Sequence, residues 1–286
     1  MDDLLRTPIV GGMSTHVILG GTGKVGRRLT RALREAGHTP RAVSRSTPLR
    51  FDWRDEASWP TVLDGADGVF IIGPGSAADW SNTLGRFLHA AVDAGVEHAV
   101  LLSARGVEFH PGGAVDTAEK ALQAGPLAWT ILRPTHFAQN FTEAMFTPLD
   151  GQIIAPVADG AEPFIDVDDI AEVGAVVLAG RGYDGRVLEL SGPEAITFTE
   201  AAETLERVTG TSVRFSTESD DEHIARLRAA GTPDGYVQWR MAMLRGIRTG
   251  ADAYLSTGVE EVLGRPATGF ADWAAREAVA VTVTAP

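Results

Sequence analysis

HVILGGTGKVGRRLTRALREAGHTPRAVSRS, residues 16–46, decides the fold. A short apolar run at 16–19 reads as a buried strand, and glycines at 20, 21, 23 and 26 follow it at once. The periodicity of 24–36 is helical, and "REAGH" closes that helix at a glycine before a second apolar run at 41–43. Strand, glycine turn, helix, strand is one half of a doubly wound parallel sheet. Gly21-Thr22-Gly23-Lys24-Val25-Gly26 fits G-x-G-x-x-G, and with Gly20 it also fits G-x-x-G-x-x-G. One glycine makes the tight turn, the next admits a pyrophosphate to the backbone, and the third lets helix pack on strand. The helix N-terminus then offers free N–H groups and the positive end of its dipole. In this context the motif predicts a dinucleotide site, with Gly20, Gly23, Lys24, Val25 and Gly26 at the phosphates.

The same stretch is basic. Nine of the 25 lysines and arginines lie between Lys24 and Arg54, against two acids, in a chain of net charge −13. An NAD-preferring site places a carboxylate at the end of the second strand to bond the ribose 2′-hydroxyl. Here that place reads Ser44-Arg45-Ser46, and residues 36–51 hold no carboxylate. A guanidinium grips a 2′-phosphate by charge-assisted bonds, so Ser44 and Arg45 predict NADP(H), and the basic island is expected to serve its phosphates.

The remainder of the first half continues the alternation. Apolar runs at 68–72, 98–102 and 128–132 read as parallel strands, with helices at 77–94 and 114–124 and a shorter one near 56–63. Beyond about residue 150, "PFIDVDDIAEVGAVVLAG" reads as a strand entering an aspartate-capped helix, and "RVLEL" as another strand. From 199 onward the pattern is mostly helical, with one strand near 213–217. The expected architecture is α/β, a Rossmann-like doubly wound sheet with a smaller, mostly helical C-terminal lobe over its carboxyl edge. We divide it as a leader at 1–14, an NADP(H)-binding domain at 15–150 and a substrate lobe at 151–286, interleaved in one unit. The leader reads as flexible.

Composition narrows the partners. The 286 residues are 44% hydrophobic and 22% charged, enough for a sizeable core. The acidic balance disfavours nucleic acid and anionic membrane surfaces, and no apolar run is long enough to span a bilayer. With no cysteine there is no thiolate nucleophile or Cys-ligated metal. The seven histidines lack the H-x-x-x-H and H-E-x-x-H spacings of metal sites, so no metal is expected. There is no G-x-S-x-G elbow to suggest a hydrolase. A cytoplasmic monomer or homodimer acting on a small molecule is the expectation.

Four stretches in order, "VILGGTGKVGRRL", "RFDWRDEASW", "ILRPTHFAQNF" and "FIDVDDIA", resemble the NmrA-like branch of the atypical short-chain dehydrogenase/reductases. Within it the chain is similar to the reductases of ergot-alkaloid biosynthesis, over nearly its whole length. The resemblance implies that Pro134, Thr135, His136 and Phe137 lie near the nicotinamide, with Asn140 beside the substrate. It also puts Phe51-Asp52 at the adenine and Gly73-Pro74 over its ribose, and it makes Ser103 the match of the family's catalytic serine. Read from the residues alone, Ser103 is equally a strand-end serine bonding backbone.

The chain departs from the wider family in lacking Tyr-x-x-x-Lys. Its tyrosines are Tyr183, Tyr236 and Tyr254, and the tyrosine and lysine positions fall near Pro111 and Val115. Without that proton donor, ketone reduction is not expected. Hydride transfer to an iminium, quinone or enone needs little acid, and positioning in a dry pocket supplies much of the rate. The candidate catalytic groups are His136, Ser103 and Lys120. His136 would be the acid where one is needed, the other reading being a packing histidine. Lys120 faces either the cofactor or solvent. Tyr236, Trp239 and Met243, spaced at i, i+3 and i+7, make one helix face that is either a wall for a flat aromatic substrate or core. Two other functions share the cofactor: a non-catalytic NADP(H) sensor, and an enzyme assisting coupling of aromatic metabolites. The leading expectation is an NADPH-dependent oxidoreductase of secondary metabolism acting on a mid-sized aromatic or polycyclic compound.

Overall fold

A computed structural model describes residues 13–75 and 78–278. Most of the expected leader, and the first residue of the helix expected from 77, lie outside them. The first half alternates: β1 (Thr15–Leu19), α1 (Lys24–Glu35), β2 (Thr39–Val43), α2 (Trp59–Leu63), β3 (Gly68–Ile72), α3 (Ser81–Asp93), β4 (His98–Leu102), α4 (Ala114–Gln123) and β5 (Ala128–Pro134). The second half continues with α5 (Asn140–Glu143), β6 (Gln152–Ala155), β7 (Ala161–Glu162), α6 (Val167–Ala179), β8 (Arg186–Leu190), β9 (Ile196–Thr197) and α7 (Phe198–Thr209). It ends with β10 (Arg214–Thr217), α8 (Asp220–Ala229), α9 (Asp234–Arg248), α10 (Gly258–Leu263) and α11 (Phe270–Trp273).

Six parallel strands form the central sheet in the order β2-β1-β3-β4-β5-β8. Alternate residues of each strand feed opposite faces, as the pleat requires. Val17, Leu19, Val69, Ile71, Ala99 and Leu101 pack against Trp59, Leu84, Phe87 and Leu122 of α2, α3 and α4. Ile18, Phe70, Val100 and Leu132 pack against Leu29 and Leu33 of α1 and Ile170 and Val173 of α6. Both faces are therefore dry, which is why the strand sequences are continuous apolar runs. The connections leave β1 toward β2 on one side and β3 on the other, and this switch opens a crevice beyond the strands' carboxyl ends.

A third core lies over that edge. Phe141, Phe146, Phe164, Phe198, Phe270 and Trp273 pack with Leu244 and Ile247 of α9, beside the two-strand pairs β6–β10 and β7–β9. The lobe core already includes Ala138 and Phe141, while α6, β8 and α10 return to the sheet. A boundary at residue 150 therefore does not follow the packing. The strand expected in "PFIDV" shrinks to a single bridge, Phe137 to Ile165. Pro163 has no N–H to offer a ladder, and Asp166 already turns the chain into α6, its side chain accepting from the Asp168 N–H.

Candidate active site

The glycine loop folds as its spacing requires. Gly20 has φ +74°, where a side chain is strained. A Cβ on Gly26 would stand 2.4 Å from the Gly20 carbonyl oxygen, and one on Gly21 2.6 Å from the Ala42 Cβ. Helix α1 begins after Gly23 with no side chain capping it and no acid in its first turn. Its orphan N–H groups and dipole are left to an anion.

These N–H groups face a groove of about 760 Å³, lined among others by Gly20, Gly23, Lys24, Val25, Ser44 and Arg45. Phe51, Asp52, Trp53, Gly73, Pro74 and Phe137 complete its walls. Asp52 is the one carboxylate among the lining residues, and Arg50 bonds it at 2.8 Å. Arg45 is exposed at the groove with no protein partner among the described residues. A dinucleotide fits this shape and donor set: free backbone N–H groups at one place, unpaired guanidinium at another, and apolar rings between.

Only part of the basic island reaches the groove. Only Lys24, Arg45 and Arg54 of its nine residues line the groove. Arg27 pairs with Glu143 at 2.6 Å, Arg28 with Glu277 at 2.7 Å and Arg31 with Asp168 at 2.6 Å. Arg41 donates to the Val62 and Asp64 carbonyls. Four of the nine thus fasten α1 and β2 to their neighbours.

A second cavity, about 170 Å³, adjoins the groove, and Lys24 and Phe137 line both. Its walls include Ser103, Arg105, Pro134, Thr135, His136, Asn140, Trp239, Met243 and Asp252. Two stretches that the sequence holds well apart build its floor. Thr135 Oγ1 donates to the Pro163 carbonyl at 2.6 Å, and the Ile165 N–H donates to the His136 carbonyl at 3.0 Å. The Gln139 side chain bonds the Val167 N–H and the Asp166 carboxylate. "LRPTHFAQN" and "FIDVDD" are thus one hydrogen-bonded unit, and the Thr135 hydroxyl is consumed in holding it.

The expected catalytic groups separate. His136 faces the cavity; its N–H and its Nδ1 both bond Glu162 Oε1, at 2.9 and 3.0 Å. Burial disfavours the charged ring, but the Glu162 carboxylate outweighs it and holds the His136 pKa above the ordinary histidine value. Ser103 lines the cavity but donates its hydroxyl to Glu119, which Arg133 clamps with two bonds of 2.6 and 2.9 Å. That ties Ser103 to an ion pair whose carboxylate is buried. Lys120 leaves the site: its side chain is 67% exposed, bonds Asp116 at 2.7 Å and lines neither cavity. The helix turns Glu119 inward instead.

Lys24 Nζ donates to Asn140 Oδ1 at 3.1 Å, and burial lowers the lysine's pKa. Of the aromatic stripe on α9, Trp239 and Met243 line the cavity, while Tyr236 packs on the Trp239 ring with centroids 5.4 Å apart. None of the three tyrosines lines either cavity. Met243 crosses directly over Gly106, where a Cβ would sit 1.8 Å from its Sδ. Sequence reasoning missed Arg105, Glu162 and Asp252. No spacing announces them, since they converge from a turn after β4, a two-residue strand and the loop after α9.

A sequence-family profile described as NAD(P)H-binding matches residues 20–180. The chain is 32% identical to a Streptomyces griseus (4-alkanoyl-5-oxo-2,5-dihydrofuran-3-yl)methyl phosphate reductase, covering 92% of this chain and 98% of that one. It is 30% identical to the agroclavine dehydrogenase of Claviceps fusiformis, covering 91% and 96%. The fold matches the NADPH-dependent quinone oxidoreductase of Escherichia coli, complexed with NADPH, at TM-score 0.76, 24% identity and coverage of 91% and 99%. The transcriptional regulator NmrA in complex with NADP matches at TM-score 0.73, 16% identity and coverage of 93% and 96%. With its glycine loop, its open groove and these relatives, the chain belongs to the NAD(P)H-binding family and is an NAD(P)H-dependent oxidoreductase.

Proposed function

We propose that the chain is an NADPH-preferring reductase whose acceptor is an iminium, quinone or enone group on an aromatic metabolite, within secondary metabolism. One observation carries this reading: the dinucleotide groove and the smaller cavity share Lys24 and Phe137, so a cofactor and an acceptor would meet there. Bound in the groove, NADPH would supply a hydride from its nicotinamide. The chain would hold the phosphates at the start of α1 and the 2′-phosphate at Arg45. Asn140 would fix Lys24 at the junction, Trp239 and Met243 would align a flat ring, and His136 would supply a proton where the acceptor takes one. The absence of a tyrosine from both cavities supports an acceptor that needs little acid. The cavity lies below the roughly 300 Å³ at which ligand pockets usually begin. A small ring system fits, and a larger one would need Trp239 or Met243 to move.

The reading is tested by NADPH oxidation against a panel holding a naphthoquinone, a cyclic enone and a cyclic iminium. Turnover of at least one, faster with NADPH than NADH, is expected. NADPH binding seen by calorimetry with no oxidation against any of the three would favour a sensor.

A further inference from the structure

His136, Glu162 and Asp252 bring one ligand atom each to within 4.8 Å of one another beneath the smaller cavity. Glu162 is 0% and Asp252 1% exposed. Two carboxylates so buried and so close do not both hold charge. Their partners are unequal. Glu162 Oε1 accepts two N–H bonds from His136, at 2.9 and 3.0 Å. Among the described residues Asp252 Oδ1 accepts from Arg105 Nη1 alone, at 3.4 Å, longer than a good N–H···O bond. Glu162 Oε2 is buried with no hydrogen-bond partner among the described residues, and a buried acceptor left so is costly. A proton on Asp252 would make it a donor to that oxygen.

Resting on the reductase reading, we propose that Glu162 and Asp252 hold a single proton between them and act as positioning residues for His136. They fix Nδ1–H toward Glu162 and leave Nε2–H, which has no protein partner among the described residues, to donate into the cavity. As the acceptor takes a hydride from the nicotinamide, its heteroatom takes the Nε2 proton. The imidazole is left neutral with its proton on Nδ1, the cofactor is left oxidised, and solvent restores the proton. Of the acceptors proposed above, the site so built favours the quinone or enone, whose oxygen gathers negative charge as hydride arrives, over the iminium, which takes no proton.

The charged groups around the trio are few. Arg105 lies against Asp252, its guanidinium carbon 3.9 Å from the Tyr254 ring centroid, with Glu189 at 4.0 Å from its Nε. Tyr254 bonds Glu189 and Glu108. Arg240 on α9 opposes protonation of His136, and Lys24 lines the far side of the cavity. Burial beside Glu162 pushes Asp252 up to about 8, in keeping with the assignment from geometry.

The test is nitrogen-15 NMR titration of the histidines in the full chain, with His136 assigned by its loss in His136→Gln. Asp252→Asn keeps a neutral donor toward Glu162 and should leave the His136 titration where it is. Glu162→Gln removes the charged acceptor, and His136 should then titrate below the ordinary histidine value. A protonated-carboxyl infrared band should be present in the wild type at neutral pH and absent in Asp252→Asn, a reading that stands even where Glu162→Gln fails to fold. A marked fall of the His136 pKa in Asp252→Asn, or no such band, would show Asp252 ionised and overturn the proposal. Stoichiometric Zn²⁺ binding that abolishes the His136 titration would do the same, making the trio a metal site. None of these readouts needs turnover, so a failed acceptor panel with the titrations as expected sinks only the reductase reading.

Discussion

Lys24 Nζ and Asn140 Oδ1 are 3.1 Å apart, and this bond joins the first turn of the glycine-loop helix to the start of α5. It spans the seam between the two cavities, since Lys24 lines both and Asn140 lines the smaller. The lysine is thereby held where phosphate, nicotinamide and acceptor would converge. Lys24→Met keeps the stem and removes the charge. Losing a charge-assisted contact costs roughly 1.5–3 kcal/mol, so NADPH affinity should fall at least about tenfold in calorimetry. The melting temperature should change little, because the ammonium is no part of the core. Unchanged affinity would remove Lys24 from the cofactor site.

Stability should fall as the solution is acidified through the histidine range. Burial, with His38 and His98 adding to it against Asp67, lowers the His16 pKa to about 4. A histidine kept neutral in the fold but free to charge when unfolded makes the unfolded state the better proton acceptor. Its contribution is whole above pH 6.5 and is lost progressively as pH drops toward 4. At 3% exposure for His16, the loss amounts to about 3 kcal/mol. Urea unfolding at several pH values should show this slope, reduced in His16→Gln. A wild-type slope unchanged by that substitution would assign the effect to His98, which burial also lowers, or to other groups.

Trp239 and Met243 lie on one face of α9 but should behave differently. Met243 is 2% exposed and packed on Gly106, so Met243→Ala should cost roughly 2–5 kcal/mol. Trp239 is only half-buried. Trp239→Ala should leave the melting temperature and NADPH affinity nearly intact and weaken acceptor binding, seen as a raised KM. A large fall in melting temperature for Trp239→Ala would place that ring in the core instead.

The sheet was legible because its signals are local. A strand's apolar run, a glycine turn and a helix period all lie within a window of about thirty residues, as 16–46 shows. The aspartate cap on α6 was legible for the same reason. Side-chain partnership was not. Whether Lys120 or Glu119 faces inward depends on the rotation of α4 against Arg133, which the helical period alone leaves open. The arginines of the basic island find carboxylates far along the chain, such as Glu143, Asp168 and Glu277. Glu162 and Asp252 meet His136 only because the lobe folds back over the sheet edge, and no motif spacing encodes that approach.

The groove beside the glycine loop should take a 2′-phosphorylated dinucleotide, with Arg45, unpaired among the described residues, at the 2′-phosphate. Titration calorimetry of NADPH and NADH into the wild type and Arg45→Asp measures this directly. The wild type should bind NADPH at least about tenfold more tightly, as one charge-assisted phosphate contact requires, and Arg45→Asp should erase or invert the preference. Equal affinities of the wild type for the two cofactors would contradict it.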